Sequence, residues 1–559
     1  MKLKNTVFFY FLIFIIFTAC NIPIDLPEED LVDLPEGTPV DLPEGEALVE
    51  YSTDANLISL VTDKGILNPV FSPETNHYRI ELMNAETINV TGITSDIMAK
   101  ITYTPDQACP LNLGENLITL TVTAENSLTN SYEILVNQSK GWNSFLGGTG
   151  SDNRSYAAVD LSGNIYIEGT STASWGSPLG GYSGNGDIFI AKISRTGVLL
   201  WSTFIGGSGT DTASGISTDS SGNVYITGTS SASWSAPVIP YSGGKDAFAA
   251  KLDSDGALLW STFLGSSSGT DTASGISADP SGNVYISGTS NYSWSAPLYA
   301  HTGAGNDDAF AVKLDSDGAR IWSTFLGSSG TDTASGISAG PSGNVYLTGT
   351  SSASWSSPVS SYAGGNDAFA AKLDSDGALL WSTFLGSSGT DTASGISAGP
   401  SGNVYIAGTS SASWSSPVSA YAGGNDAFAA KLDSNGALLW STFLGGSGTD
   451  TASGISADPS GNVYIAGTSS ASWLTPVRAY SGGNDAFAVK LESNGNRIWN
   501  TFHGGSLADT GSAVIIDSDN SIVLTGDSSG TWGVPISNYS GNTDVFISRI
   551  DSSGRFTDE

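Results

Sequence analysis

The sequence predicts an all-β chain: a seven-bladed β-propeller of four-stranded blades preceded by a small β-sandwich. Three observations carry this. Tryptophan opens a block at Trp142, Trp201, Trp260, Trp322, Trp381, Trp440 and Trp499, at spacings of 59, 59, 62, 59, 59 and 59 residues. A second set, Trp175, Trp234, Trp294, Trp355, Trp414, Trp473 and Trp532, falls once inside each block, and the two sets account for all 14 tryptophans. Each block also holds four short apolar runs separated by Gly, Asp, Asn and Ser turns. A fixed long period means one supersecondary unit copied many times. Seven units of four strands fall within the usual range of propellers.

The chain opens with a segment expected to lie outside the fold. Lys2 and Lys4 precede an apolar run, Val7 to Phe17, that is short for a membrane span. The run ends in Phe17-Thr18-Ala19-Cys20, which resembles the lipobox of bacterial lipoproteins. That resemblance implies a signal peptide over 1–19, cleavage before the cysteine, and Cys20 as the lipidation site. It also implies anchorage to the membrane through an N-terminal lipid, in the bacterial cell envelope and at the outer membrane. Several acyl chains, at about 0.8 kcal/mol per buried CH₂, give stable attachment. An ordinary secretory signal is the alternative.

Residues 20–50 read as an acidic, proline-rich tether. Asp-Leu-Pro-Glu recurs at 25–28, 33–36 and 41–44, and residues 21–50 carry ten acids and no Lys or Arg. Proline favours extended conformers and like charges repel, so an extended linker is expected.

Residues 51–139 read as a separate β domain. Strands are expected at Asn56–Val61, His77–Leu82, Thr87–Gly92, Lys100–Tyr103, Leu117–Ala124 and Ser131–Asn137. Ile118, Leu120 and Val122 alternate with Thr119, Thr121 and Thr123, the period of a half-buried strand. Gly114-Glu115-Asn116 reads as the turn before it. The segments Leu57-Ile58-Ser59-Leu60, Gly65-Ile66-Leu67, Phe71-Ser72-Pro73, Tyr78, Val122-Thr123-Ala124-Glu125-Asn126 and Ser131-Tyr132, with that turn, resemble the bacterial cadherin-like β-sandwich. The resemblance implies a spacer or adhesion module. No metal ligands are carried over, and His77 reads as a strand-surface residue.

The propeller is expected over 140–559, with blade repeats starting near 142, 201, 260, 322, 381, 440 and 499. In the block from Trp260 the expected strands are Ala257–Leu264, Gly275–Asp279, Asn283–Gly288 and Asp308–Leu314. Asp-Gly and Ser-Gly-Asn supply the positive φ of their turns. Leu258, Trp260 and Leu264 alternate with Leu259 and Phe263, so this strand is apolar on both faces, as blades packed face to face require. The last block lacks a following Trp strand and the first begins with one. The strand at Trp142 is therefore expected to complete the last blade, which removes two sheet edges.

The unit Trp-Ser-Thr-Phe-Leu-Gly, Thr-Asp-Thr-Ala-Ser-Gly-Ile, Ser-Gly-Asn-Val-Tyr-Ile, Gly-Thr-Ser and Asp-Ala-Phe-Ala-Ala-Lys-Leu resembles the SBBP-type bacterial β-propeller repeat. This implies an exported propeller and no defined reaction.

Candidate functional residues are few in kind. Aspartates recur in the Gly-Thr-Asp turn at Asp152, Asp211, Asp271, Asp332, Asp391, Asp450 and Asp509. Others open the fourth run at Asp187, Asp246, Asp308, Asp367, Asp426, Asp485 and Asp544, each followed five residues later by Lys or by Arg549. Presence in every block argues for a blade-forming role. No cofactor is expected. Calcium stays open as the alternative, at the Asp-Ser-Asp-Gly turns of Asp253/Asp255, Asp315/Asp317 and Asp374/Asp376. Those turns drift to Asp-Ser-Asn-Gly at 433–436 and Ser-Arg-Thr-Gly at 194–197, which fits hairpins better than ligand cages. The second tryptophan set could stack on sugars or anchor a protein if exposed, or wedge the blades if buried.

Signals of catalysis are poor. His77, His301 and His503 are the only histidines and none has metal-ligand spacing. Neither a Gly-x-Ser-x-Gly elbow with partners nor Cys-x-x-Cys-His occurs. Glu168 is the oddity, standing where other blocks carry Thr, Ser or Ala. A net charge of −34 disfavours nucleic acid, whose binding needs cationic neutralisation. With Cys20 lipidated, Cys109 has no disulfide partner within the chain. The expected function is binding of a protein or glycan partner at the cell envelope. The alternatives are a propeller enzyme acting on polysaccharide and a purely structural spacer.

Overall fold

A computed structural model describes residues 51–556 except 84, 113, 303, 304 and 518. The signal segment, Cys20 and the acidic tether lie outside the described residues.

Residues 57–139 form two facing sheets. One has the order Leu57–Thr62, Thr87–Thr94, Ala108–Pro110; the other His77–Met83, Thr129–Ser139, Gly114–Thr123, Lys100–Thr104. The inward-pointing alternates Leu57, Leu60, Ile88, Val90, Ile118, Leu120, Val122, Ile134 and Val136 make one core. The hydroxyl of Tyr132 crosses it to accept the Leu57 N–H at 3.0 Å. Two sequence expectations fail here. The strand at Ala108–Pro110 is too short to show a period, and Gly114 to Asn116 belong to a strand rather than to a turn.

From Trp142 onward the chain builds seven four-stranded antiparallel sheets. The second blade shows the plan: Asp211–Thr218, Val224–Ser230, Asp246–Leu252 and Leu258–Leu264, paired in that order. The first strands of successive blades contact one another in turn, and the strand at Asp509–Ile516 returns to the one at Asp152–Val159. A ring of seven blades around an axis results, with these strands innermost. Glycine suits the close approach on that ring. A Cβ on Gly215 would stand 3.3 Å from the Gly275 Cα of the next blade.

Blade boundaries differ from the tryptophan beat. A blade begins at the Asp-Thr-Ala-Ser strand and ends at the Trp strand. The aspartate assigned to a turn is the first residue of the inner strand, as at Asp271–Ala278. The closing strand behaves as expected: Trp142–Leu146 pairs antiparallel with Asp544–Ile550, Phe145 opposite Phe546. The expectation that the Trp strand is covered on both faces fails at its start, where Leu258 and Leu259 are exposed. It is an outer strand, and only its second half lies under cover. There the connecting segment pairs with it through Val238 N–H to Ser261 O at 2.8 Å and Phe263 N–H to Ile239 O at 3.0 Å. That contact blunts the sheet edge.

Candidate functional site

The inner tryptophan set is buried. Trp175, Trp234, Trp294, Trp355, Trp414, Trp473 and Trp532 are 4–8% exposed. Trp234 meets Phe248 and Phe263 edge-on, with ring centroids at 5.1 and 5.4 Å. The stacking rim considered for these seven residues is therefore corrected: their faces pack within the blades and are not open to a sugar. Burying such a ring is worth more than exposing it, because it carries the largest apolar area of any side chain.

The outer set locks each blade to the next. The Trp201 indole N–H donates to Ser254 O at 3.2 Å, 53 residues onward in the following blade, and Trp322 does the same to Ser375 O at 2.9 Å. Trp142 closes the circuit onto Arg195 O at 3.0 Å. The accepting hairpin is the Asp-Ser-Asp-Gly turn. Asp253 Oδ1 caps it by accepting the N–H groups of Asp255 and Ala257 at 3.0 and 2.9 Å. Its Gly256, at φ +87°, lies under the Trp201 ring, which a Cβ would approach to 3.1 Å. These contacts satisfy two of the turn's backbone N–H groups. The recurring cation belongs to the same junction: Lys192 Nζ sits 5.1 Å from the Tyr166 centroid and donates to Ser254 O at 3.1 Å.

The two aspartate sets meet in pairs. Asp211 Oδ2 accepts the Gly207 N–H at 2.8 Å, and its counterpart Asp271 accepts the Ser290 hydroxyl on Oδ1. Asp332, Asp391, Asp450 and Asp509 repeat the serine contact. Burial raises the Asp211 pKa, against the pull of Ser230, the Gly207 N–H and the Trp234 indole. The second set accepts one loop N–H each on Oδ2, as Asp246 does from Ser242 at 2.6 Å. Burial pushes Asp246 up to about 6, with the Ser242 N–H opposing and the Asp271 charge adding. Asp271 belongs to the next blade, so each carboxylate pair sits on a blade junction. Sequence reasoning saw both sets but not their meeting, because six of the pairs join residues 24 or 25 apart on different sheets and the seventh, Asp544 with Asp152, spans the ring closure.

Several departures from the repeat gather near the seam between the last and first blades. Arg549 replaces the usual lysine and is fully buried. It donates to Asp517 at 2.6 Å and Asp519 at 2.9 Å, and to Arg195 O at 2.7 Å. Arg195, from the drifted turn at 194–197, reaches Asp517 at 3.0 Å. Burial acts to raise the Asp519 pKa, but Arg549 and Arg195 outweigh it and the net shift is downward. Asp527 accepts the Arg154 N–H at 3.3 Å across the same seam, and burial pushes it up to about 6. Glu168 accepts the Gly215 N–H at 2.9 Å, bridging the first and second blades. Burial raises its pKa well above the usual range. Its register partner is Tyr156, which occupies the position of Gly215 and is raised to about 12, by burial first and then by Glu168.

The histidines do not converge. His77 is exposed beside Glu133. His301 lies 4.0 Å from Asp308. His503 is buried, pairs with Ser548 Oγ at 3.0 Å, and is held down to about 3 by burial first and Arg478 second. Among the described residues no three His, Cys, Asp or Glu side chains come together, and no helix is long and apolar enough to cross a membrane. The perturbed carboxylates at the junctions are buried between adjacent blades.

Fold and repeat together define a β-propeller repeat protein. The profile of the SBBP beta-propeller repeat matches residues 200–233, 259–292 and 439–472. An uncharacterized WD repeat-containing protein, L264 of Acanthamoeba polyphaga mimivirus, is 24% identical over 473 residues. The match takes in 65% of this chain but 34% of that protein, so the chain spans about a third of its relative's length. Among solved structures, a protein of unknown function from Dyadobacter fermentans is 10% identical, with a TM-score of 0.39 over 73% of this chain and 98% of its own. The Neurospora crassa Pan2 WD40 domain is also 10% identical, with a TM-score of 0.36 over 72% of this chain and 89% of its own.

Proposed function

We propose that this chain is an exported, lipid-anchored scaffold that binds a protein partner at the bacterial cell envelope. One observation carries the binding reading. Six outer strands each present an aliphatic residue to solvent: Leu200, Leu259, Ile321, Leu380, Leu439 and Ile498, 46–55% exposed. Exposed Val or Leu residues of the connecting segments, such as Val238, Leu298 and Val359, accompany them. Blade stability does not need apolar groups in water, and their recurrence offers the same contact several times over. Repeated weak contacts to one partner gain strength from effective concentration. A protein is favoured over a glycan because the tryptophans suited to sugar stacking are buried. The net charge of −34 favours a neutral or basic partner surface.

Anchorage rests on the Phe17-Thr18-Ala19-Cys20 segment. The sandwich and acidic tether then serve as spacers between the lipid and the propeller.

The test uses a soluble 51–559 fragment on arrays of extracellular proteins and of glycans. Saturable protein binding that is lost on combining Leu259→Asn, Leu380→Asn and Leu439→Asn in a folded fragment supports the reading. Glycan binding, or protein binding indifferent to the rim substitutions, overturns it. Anchorage is tested separately by fractionating cells that make the whole chain: Cys20→Ala is expected to move it from the membrane to the soluble fraction.

A further inference from the structure

Fourteen aspartate side chains, two per blade junction, are 0–1% exposed. A buried charge must be paired or neutralised. On the third-strand members, Asp187, Asp246, Asp308, Asp367, Asp426, Asp485 and Asp544, Oδ1 has no hydrogen-bond partner. That free oxygen faces the other aspartate of its pair. A Cβ placed on Gly206 would stand 2.7 Å from Asp211 Oδ2 and 3.0 Å from Asp187 Oδ1. The same convergence holds at Gly147 with Asp152 and Asp544, at Gly265 with Asp246 and Asp271, and at Gly386 with Asp367 and Asp391. Only glycine leaves room there.

Two junctions carry their own basic side chain, and the difference is informative. Beside Asp485 and Asp509, Arg478 donates to Gly504 O at 3.2 Å, and Gly504 is buried. Beside Asp308, His301 stands 4.0 Å away. At the other junctions the neighbours of the carboxylates are hydroxyls, backbone N–H groups and indoles, and Gly147, Gly206, Gly265, Gly386 and Gly445 are partly exposed. A cavity of about 570 Å³ opens beside Gly206, lined by Ser183 and Trp234 among others.

We propose that the five junctions lacking a basic side chain, Asp187/Asp211, Asp246/Asp271, Asp367/Asp391, Asp426/Asp450 and Asp544/Asp152, each bind a hard divalent cation of calcium's size. The free Oδ1 and the facing carboxylate supply two oxygens, and water completes the shell that such an ion needs. With only two acidic ligands, affinity falls in the range of extracellular calcium modules, about 10⁻⁴–10⁻³ M. Such an ion would hold adjacent blades together where Arg478 does so in the sixth blade. This inference is independent of the partner proposed above.

The test is equilibrium dialysis of the whole chain against calcium chloride, with terbium luminescence excited through the neighbouring indoles as a second readout. Five ions per chain are expected. Asp367→Asn with Asp426→Asn is expected to bind three, and Arg478→Ala six. Folding of each variant is checked by its near-ultraviolet circular dichroism. A count unchanged by the double aspartate substitution means diffuse binding to an acidic surface and overturns the proposal. So does no saturable uptake, with each pair sharing a proton instead.

Discussion

Replacing Arg549 by Met should destabilise the ring far more than replacing its counterpart lysine in an interior blade. Arg549 is fully buried and contacts Asp517 and Asp519, whose side chains are each 1% exposed. Removing it leaves two buried carboxylates facing one remaining guanidinium, that of Arg195. Breaking a buried ionic group from one side costs about 3–5 kcal/mol, because the surviving charge stays out of water. The Lys372→Met change removes a cation lying 5.4 Å from the Tyr346 centroid and a hydrogen bond of 3.5 Å to Ser434 O. Both contacts are partly exposed and together are worth about 1 kcal/mol. Thermal unfolding of the two variants followed by tryptophan fluorescence reads the contrast. Equal losses for Arg549→Met and Lys372→Met would refute the claim that the seam departures hold the ring closed.

Trp234→Ala should cost about 3–5 kcal/mol in urea unfolding, as deletion of a buried aromatic does, while leaving a folded chain's binding intact. Asp527 has a folded pKa of about 6 against an ordinary 3.8, so the folded state holds the proton more tightly. Its contribution therefore improves as pH falls from about 6 toward 4, and Asp527→Asn should be the more stable chain at pH 7, with the advantage fading by pH 4 in thermal melts. His503 runs the other way: held near 3 rather than 6.5, it stays neutral when folded and protonates when unfolded. Stability should drop as pH falls from 6.5 toward 3, and His503→Gln should show a shallower decline.

The tryptophan beat made the architecture legible, because two indoles per block are the largest groups each blade must bury or bridge. Closure was legible too, since a Trp strand was missing at one end and spare at the other. Boundaries within the blade were not, because the block opens on its largest residue whereas the sheet opens at Asp271. The fate of the second tryptophan set was open in the sequence: Ser-Ala-Ser-Trp-Ser reads as a loop whether the ring faces water or Phe248. The Asp246/Asp271 pairing was invisible for a different reason. It forms between blades, and a repeat sequence records the period but not which copies of a residue face each other. Glu168 stood out as a departure, yet its neighbours Tyr156 and Gly215 become meaningful only once the first and second blades are adjacent.

Ring closure by the strand at Trp142 is the claim on which the rest depends, since the seam network and the junction count both require the last blade to meet the first. Asn143 and Ser548 are register partners on the two closing strands. Directly paired residues hold their Cβ atoms about 4.5–5.5 Å apart, within a small adjustment of a disulfide. Asn143→Cys with Ser548→Cys, in a 51–559 fragment that also carries Cys109→Ser, should oxidise to a single intramolecular bond seen by mass spectrometry of the protease digest. Two free thiols, or a bond formed only between chains, would contradict a closed propeller.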